Sequence, residues 1–191
     1  RVKEITSGKL CDVVYDGIRF SPDEIVSVTL SITSLSADIS RTLEPRAPHP
    51  EKRIAAVRAL AEAGVPVHVN IAPVVPAITD HEMEAIVARI AEAGAWGAAF
   101  MIVRLPHEVA PLFRAWLDAH YPERAGKVMA IIQSIRGGRD YFERMRGQGP
   151  WADLFRTRFR KAMARHGLPR REPRLRADLF QPPEGAQMRL L

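Results

Sequence analysis

Two histidine–glutamate pairs, His81-Glu82 in "HEMEA" and His107-Glu108 in "HEVAP", are the first residues whose types could do chemistry. A zinc protease needs a second histidine one helical turn further on, so that both imidazoles face one metal, and both stretches lack it. His81 therefore reads as a helix-start residue and His107 as a loop residue. The six histidines, His49, His68, His81, His107, His120 and His166, form no ligand spacing. "RGGRD" and "GQGP" lack the preceding strand and the Lys-Ser/Thr pair of a phosphate-binding loop, and no serine lies in a G-x-S-x-G elbow. No lysine falls at a predicted strand end for a Schiff base, and no acid/base pair converges.

What remains is a set of polar groups at predicted strand ends: Ser31, Thr33, Asn70 and Arg104, with Glu44 and Arg46 on the loop after the first strand. In parallel β/α folds the chemistry sits where strands end, which makes these positions candidates for ligand contact. The plainer alternative is that Glu44 and Arg46 form a surface ion pair and the hydroxyls are ordinary strand residues.

The elements that would position them follow from periodicity. Val26, Val28, Leu30 and Ile32 alternate with small polar residues, predicting a strand that ends near Thr33. Pro50 suits the first position of a helix whose face is Ile54, Val57, Leu60 and Ala61, with Gly64 as a left-handed stop. The β-branched run Val65 to Val75 predicts a second strand. Thr79 and Glu82 then have capping-box spacing ahead of Met83, Ile86, Val87 and Ile90, and Gly94 closes that helix. The cassette "AEAG" thus occurs twice, at 61–64 and 91–94, each time at a helix-to-strand junction. A third strand, Ala98 to Leu105, is apolar enough to predict cover on both faces. The repeat of strand and helix at about thirty residues predicts an α/β fold, either a barrel or an open parallel sheet.

Beyond Pro106 two helical patterns appear, around Val109–Leu117 and Val128–Ile135, then a glycine- and arginine-rich loop and an amphipathic helix from Trp151 to His166. The last residues, "LPRREPRLRADLFQPP", are proline-rich and predict an irregular tail.

The 191 residues carry 47% hydrophobic residues, enough for a packed core, and a net charge of +6. Arginine dominates the basic side, and its forked guanidinium suits phosphate, so Arg136, Arg139, Arg144, Arg146, Arg156, Arg158 and Arg160 could form a nucleic-acid-binding face. No stretch approaches the ~20 apolar residues of a membrane span, and no signal peptide is evident, so the expected location is the cytoplasm, with no membrane partner. The single cysteine, Cys11, can form no internal disulfide.

The line "SLSADISRTLEPRAPHPEKRIAAVRALAEAGVPVHVNIAPVVPAITDHE", continued by "RLPHEVAPLF", "RGGRDY" and "RMRGQGP", resembles the radical S-adenosylmethionine (SAM) proteins, in particular the DNA-repair-photolyase-like or spore-photoproduct-lyase-like subfamily. The resemblance covers roughly Val28 to Gly167. It implies part of a radical SAM (β/α)6 partial TIM barrel, about three parallel strands with helices, followed by a C-terminal helical extension. It also implies a 4Fe-4S cluster and SAM as cofactors, with an electron donor as partner. In that family SAM is cleaved reductively to methionine and a 5′-deoxyadenosyl radical that takes hydrogen from a substrate. By resemblance, Ser31 and Thr33 lie near the ribose or amino-acid part of SAM, Glu44 and Arg46 belong to the "LEPRA" signature, and "IAPVVP", with Pro73, lines the adenine or substrate side beside Asn70. Arg104 completes the set.

The chain departs from the family in the residues that hold iron. A CxxxCxxC motif supplies three thiolates there, and Cys11 in "KLCDVVYD" is not that motif. Ala77 and Thr79 also stand where the family pattern "PGLND" has glycine and asparagine. The expected organisation is a poorly matched segment 1–27, the later half of a barrel at 28–106, a helical region at 107–168 and an extended tail at 169–191. On this reading the chain is a fragment, inactive alone, whose missing N-terminal barrel half lies upstream; the alternatives are a decayed non-catalytic relative and the arginine-rich nucleic-acid-binding module.

Overall fold

A computed structural model describes residues 26–135 and 147–168, together with the short strands at 13–15 and 18–20. Strands β1 (Val13–Tyr15) and β2 (Ile18–Phe20) form an antiparallel pair. They fall in the segment for which the sequence offered no reading. Then follow β3 (Val28–Ser31), α1 (Ala37–Leu43), α2 (Pro50–Glu62), β4 (Val67–Val74), a 3-10 turn (Asp80–Glu82), α3 (Met83–Glu92), β5 (Gly97–Ile102), α4 (Val109–His120), α5 (Pro122–Ile135) and α6 (Pro150–Arg165). Among the described residues the fold is thus mixed α/β, with a three-stranded parallel sheet in the order β3-β4-β5 and six α-helices.

Register sorts the strand residues onto two faces. Val67, Val69 and Ile71 of β4 are buried with Ile54 and Val57 of α2, Met83, Ile86, Val87 and Ile90 of α3, and Phe155 and Met163 of α6. Burying each such side chain contributes about 1.5–3 kcal/mol, so this face drives the helices onto the sheet. On the opposite face Thr29 pairs with His68 and His68 with Gly97, while Ser31 pairs with Asn70 and Asn70 with Ala99. This face opens toward the ends of the strands: Thr29 and Ser31 are exposed, His68, Asn70 and Ala99 are half-buried and Met101 is 41% exposed, while Gly97 at the start of β5 is buried. The expectation that the third strand is covered on both faces is corrected at its end: its helix-facing side carries Ala98 and Phe100, the latter against Phe159 of α6 at 4.9 Å between ring centroids, while on its other side Gly97 is buried, Ala99 half-buried and Met101 exposed.

A second core gathers where the chain leaves the strands. Val75, Ile78 and Leu105 pack with Phe113 and Leu117 of α4 and Ala125, Val128 and Ile132 of α5, and Ile39 and Leu43 of α1 close it. The Trp116 indole N–H donates to the Thr42 carbonyl at 3.1 Å, tying α4 to α1. Helix α1 was not expected from periodicity. Its signal is local: the Ser36 hydroxyl accepts from the Ile39 amide at 3.3 Å, with Asp38 in the first turn.

Three helices end in the same way. After α2 and α3 the residues are Ala-Glu-Ala-Gly followed by an apolar residue, and after α6 they are Ala164-Arg165-His166-Gly167-Leu168. Each glycine has positive φ, at 77°, 85° and 67° for Gly64, Gly94 and Gly167. In each case the following apolar residue donates back across the turn, Val65 to Leu60, Ala95 to Ile90 and Leu168 to Met163, which is a Schellman closure. The doubled cassette is therefore a helix stop used three times, the third copy hidden by substitution of its small residues.

Candidate functional site

Because the strands are parallel, the ends of β3, β4 and β5 lie at one edge of the sheet, and the candidate residues sort by what surrounds them there. Ser31 and Asn70 sit in one register row on the open face, Ser31 exposed and Asn70 half-buried, so a hydroxyl and an amide stand on adjacent strands. Neighbouring strands lie about 4.8 Å apart, close enough for both groups to reach one ligand.

Thr33 is placed differently. It is 2% exposed, and its hydroxyl donates to the Ala72 carbonyl at 2.8 Å. That bond fastens the segment after β3 to the residue preceding Pro73, whose peptide bond is cis. Ser34, also 2% exposed, donates to Glu82 Oε2 at 2.5 Å, and the same oxygen accepts from the Leu35 amide at 3.1 Å. Thr33 and Ser34 thus shape the strand end from within rather than facing a ligand.

This use of Glu82 corrects the expected capping box. The Thr79 side chain makes no cap to the following turn; its hydroxyl accepts from the Val75 amide at 2.8 Å. A carboxylate spaced correctly for capping is instead spent across the sheet edge on a longer-range partner, which sequence spacing cannot register. Nearby, Ala77 takes a left-handed φ of 61°, its amide donates to Asp80 Oδ1 at 2.5 Å, and its carbonyl accepts from Arg124 at 3.2 Å. Glycine is the residue that adopts this φ without cost.

Glu44 does not pair with Arg46, the ion pair offered as the plain alternative. Its partner is Arg53, at 3.0 Å. Arg53 is 11% exposed and also donates to the Ser31 carbonyl at 2.8 Å and the Pro48 carbonyl at 3.1 Å. One guanidinium from α2 therefore joins the "LEPRA" loop to the end of β3. Arg46 is exposed on that loop, and Arg104 is exposed just after β5. The structure thus brings Ser31 and Asn70 together, links Glu44 to Ser31 through Arg53, sets Thr33 beside Ala72-Pro73, and leaves Arg46 and Arg104 at the periphery.

The arginine series divides as well. Arg136, Arg139, Arg144 and Arg146 lie outside the described residues. Arg158 binds Glu84 through two bonds of 2.7 Å and also reaches Asp80, so it clamps α6 to the start of α3. The Arg158 hydrogen bonds hold the Glu84 carboxyl below its usual range, and those same bonds raise Arg158. Arg156 pairs with Asp153 at 2.5 Å and donates to the Gly147 carbonyl at 3.1 Å, while Arg160 is exposed. Two of the arginines nominated for nucleic acid therefore serve intramolecular contacts.

The described residues contain no group of three or more His, Cys, Asp or Glu side chains able to hold a metal ion. Cys11 lies outside them. With one cysteine in the sequence, the residues do not fit a cluster that takes three thiolates. No helix among the described residues is long and apolar enough to cross a membrane.

No protein-family model matches the chain. Uncharacterized proteins of Mycobacterium tuberculosis and of Mycobacterium bovis are each 33% identical to it over 110 residues, covering 56% of this chain and 32% of theirs. The match thus spans about a third of the length of these curated relatives. No solved structure matches.

Proposed function

We propose that this chain is the later half of a radical SAM-type partial (β/α)6 barrel that binds S-adenosylmethionine and works with a cluster-binding segment outside this sequence. The observation that carries the reading is the sheet's asymmetry. Among the described residues three parallel strands are packed by helices on one face, while the other presents Thr29 and Ser31 exposed and His68 and Asn70 half-buried, as staves lining the inside of a larger barrel would. The resemblance of "LEPRA" and "IAPVVP" supplies the identity of the ligand.

The second core of α1, α4 and α5 packs around the residues that follow the strands, and the face beside the Ser31–Asn70 row is the position proposed for the ligand. Ser31 and Asn70 would hydrogen-bond its polar groups, and Arg53 would keep the Ser31 backbone fixed while they do so. When bound, S-adenosylmethionine would supply the sulfonium whose cleavage starts hydrogen abstraction. With a single cysteine, this chain would leave the thiolate ligands of an iron cluster to residues outside it.

Anaerobic reconstitution with iron and sulfide tests the assignment. This chain gives no 4Fe-4S absorption, whereas the chain joined to its upstream coding sequence does; a cluster on this chain alone overturns the reading. In the joined protein, Asn70→Ala weakens S-adenosylmethionine binding measured by equilibrium dialysis, and unchanged binding counts against the placement.

A further inference from the structure

Strand β5 is paired on one side only. Among the described residues its neighbour is β4, and no strand lies along its other edge. The Trp96 amide donates to Val67 of β4 at 2.8 Å, so alternation along the strand turns the backbone groups of Gly97 and Ala99 outward, toward that bare edge. A groove of about 590 Å³ runs there, lined by Ala98, Ala99 and Phe100 on one side and by Arg156, Phe159 and Arg160 of α6 among the residues opposite. Since three consecutive strand residues line it, the groove meets β5 edge-on rather than over one face.

Charge selects what the groove takes. Asp153, also on the wall, pairs with Arg156, whereas Arg160 is exposed, leaving the wall with net positive charge on a chain of net charge +6. An edge with outward N–H and C=O groups is the template used in strand addition, where main-chain bonds give affinity and side-chain contacts give selectivity.

We infer that the groove between β5 and α6 receives an acidic polypeptide segment from outside this chain, in extended form, as an added strand beside β5. The inference is independent of any cofactor, since it uses only the bare edge, the groove and the charge on α6.

The test uses two fluorescein-labelled decapeptides of alternating β-branched residues, one carrying glutamates and the other lysines, with anisotropy as readout. The glutamate peptide binds and the lysine peptide does not. Ala99→Pro removes an outward N–H that an edge strand can spare, and weakens binding roughly tenfold while circular dichroism stays unchanged. Arg160→Glu weakens the glutamate peptide several-fold and brings in the lysine peptide. If Ala99→Pro fails to fold, the Arg160→Glu exchange decides alone. Absent binding, binding indifferent to these substitutions, or concentration-dependent self-association that protects the Ala99 amide without peptide overturns the proposal.

Discussion

Arg158 and Glu84 face each other across the α6–α3 contact through two parallel hydrogen bonds of 2.7 Å, with Asp80 completing the grip. The arrangement is a fork on a carboxylate, the geometry in which arginine bonds most strongly. It makes the C-terminal helix part of the sheet's support, because Asp80 also takes the Ala77 amide in the loop after β4.

Arg158→Met should therefore lower stability by about 1–2 kcal/mol, read by chemical denaturation, with no change in a ligand site that it does not touch. The effect should depend on pH. Glu84 titrates below its ordinary value of 4.5 in the fold, so its contribution is present above that value and is lost as the pH falls through the lowered one. The gap between parent and variant narrows on acidification; a gap that stays constant from pH 7 to pH 3 would contradict the assignment.

The two "AEAG" copies give a paired prediction. Gly64 and Gly94 share the left-handed conformation, but a β-carbon on Gly64 would meet nothing within 4 Å, whereas one on Gly94 would lie 2.9 Å from the Ala61 β-carbon. Gly64→Ala should cost about 1–2 kcal/mol from backbone strain alone. Gly94→Ala should cost about 1–3 kcal/mol more from the overlap with Ala61, and equal thermal shifts in the two variants would remove the packing argument.

The Glu82 carboxylate supplies a third test. It accepts from the buried Ser34 hydroxyl and from the Leu35 amide, so Glu82→Ala strands both donors and should destabilise by about 2–3 kcal/mol. A capping role alone predicts a smaller cost of ~1 kcal/mol. In a double-mutant cycle with Ser34→Ala, the two changes should be strongly non-additive.

The helices other than α1, their glycine stops and the parallel strands were legible in the sequence because each depends on residues within one turn or one strand period. Pro50, Gly64 and Gly94 punctuate the chain as their backbone chemistry requires, and α2, α3 and α6 fall within a few residues of expectation. What was not legible is pairing at a distance. Arg53 reaches Ser31 across 22 positions, Glu82 reaches Ser34 across 48, and Arg158 reaches Glu84 across 74. Nothing local distinguishes these charged residues from solvated ones. The exposure of Met101 on β5 was missed for a related reason, since cover on a strand face depends on which element returns to it.

Ser31 and Thr33 carry the last prediction, because they share one expected role by resemblance but sit in two different environments. Thr33 is buried and bonded to Ala72, so Thr33→Val keeps the shape, removes the bond and should cost about 1–2 kcal/mol. Ser31 is exposed at its side chain and is held through its carbonyl by Arg53, so Ser31→Ala should change stability by no more than about 0.5 kcal/mol. Under the proposed S-adenosylmethionine-binding role the pattern reverses: Ser31→Ala would weaken binding directly, and Thr33→Val would do so only as far as it loosens the strand end. Measured together, unfolding midpoints and binding constants separate the two residues. A Ser31→Ala variant that loses stability but binds normally would move the ligand away from the Ser31–Asn70 row.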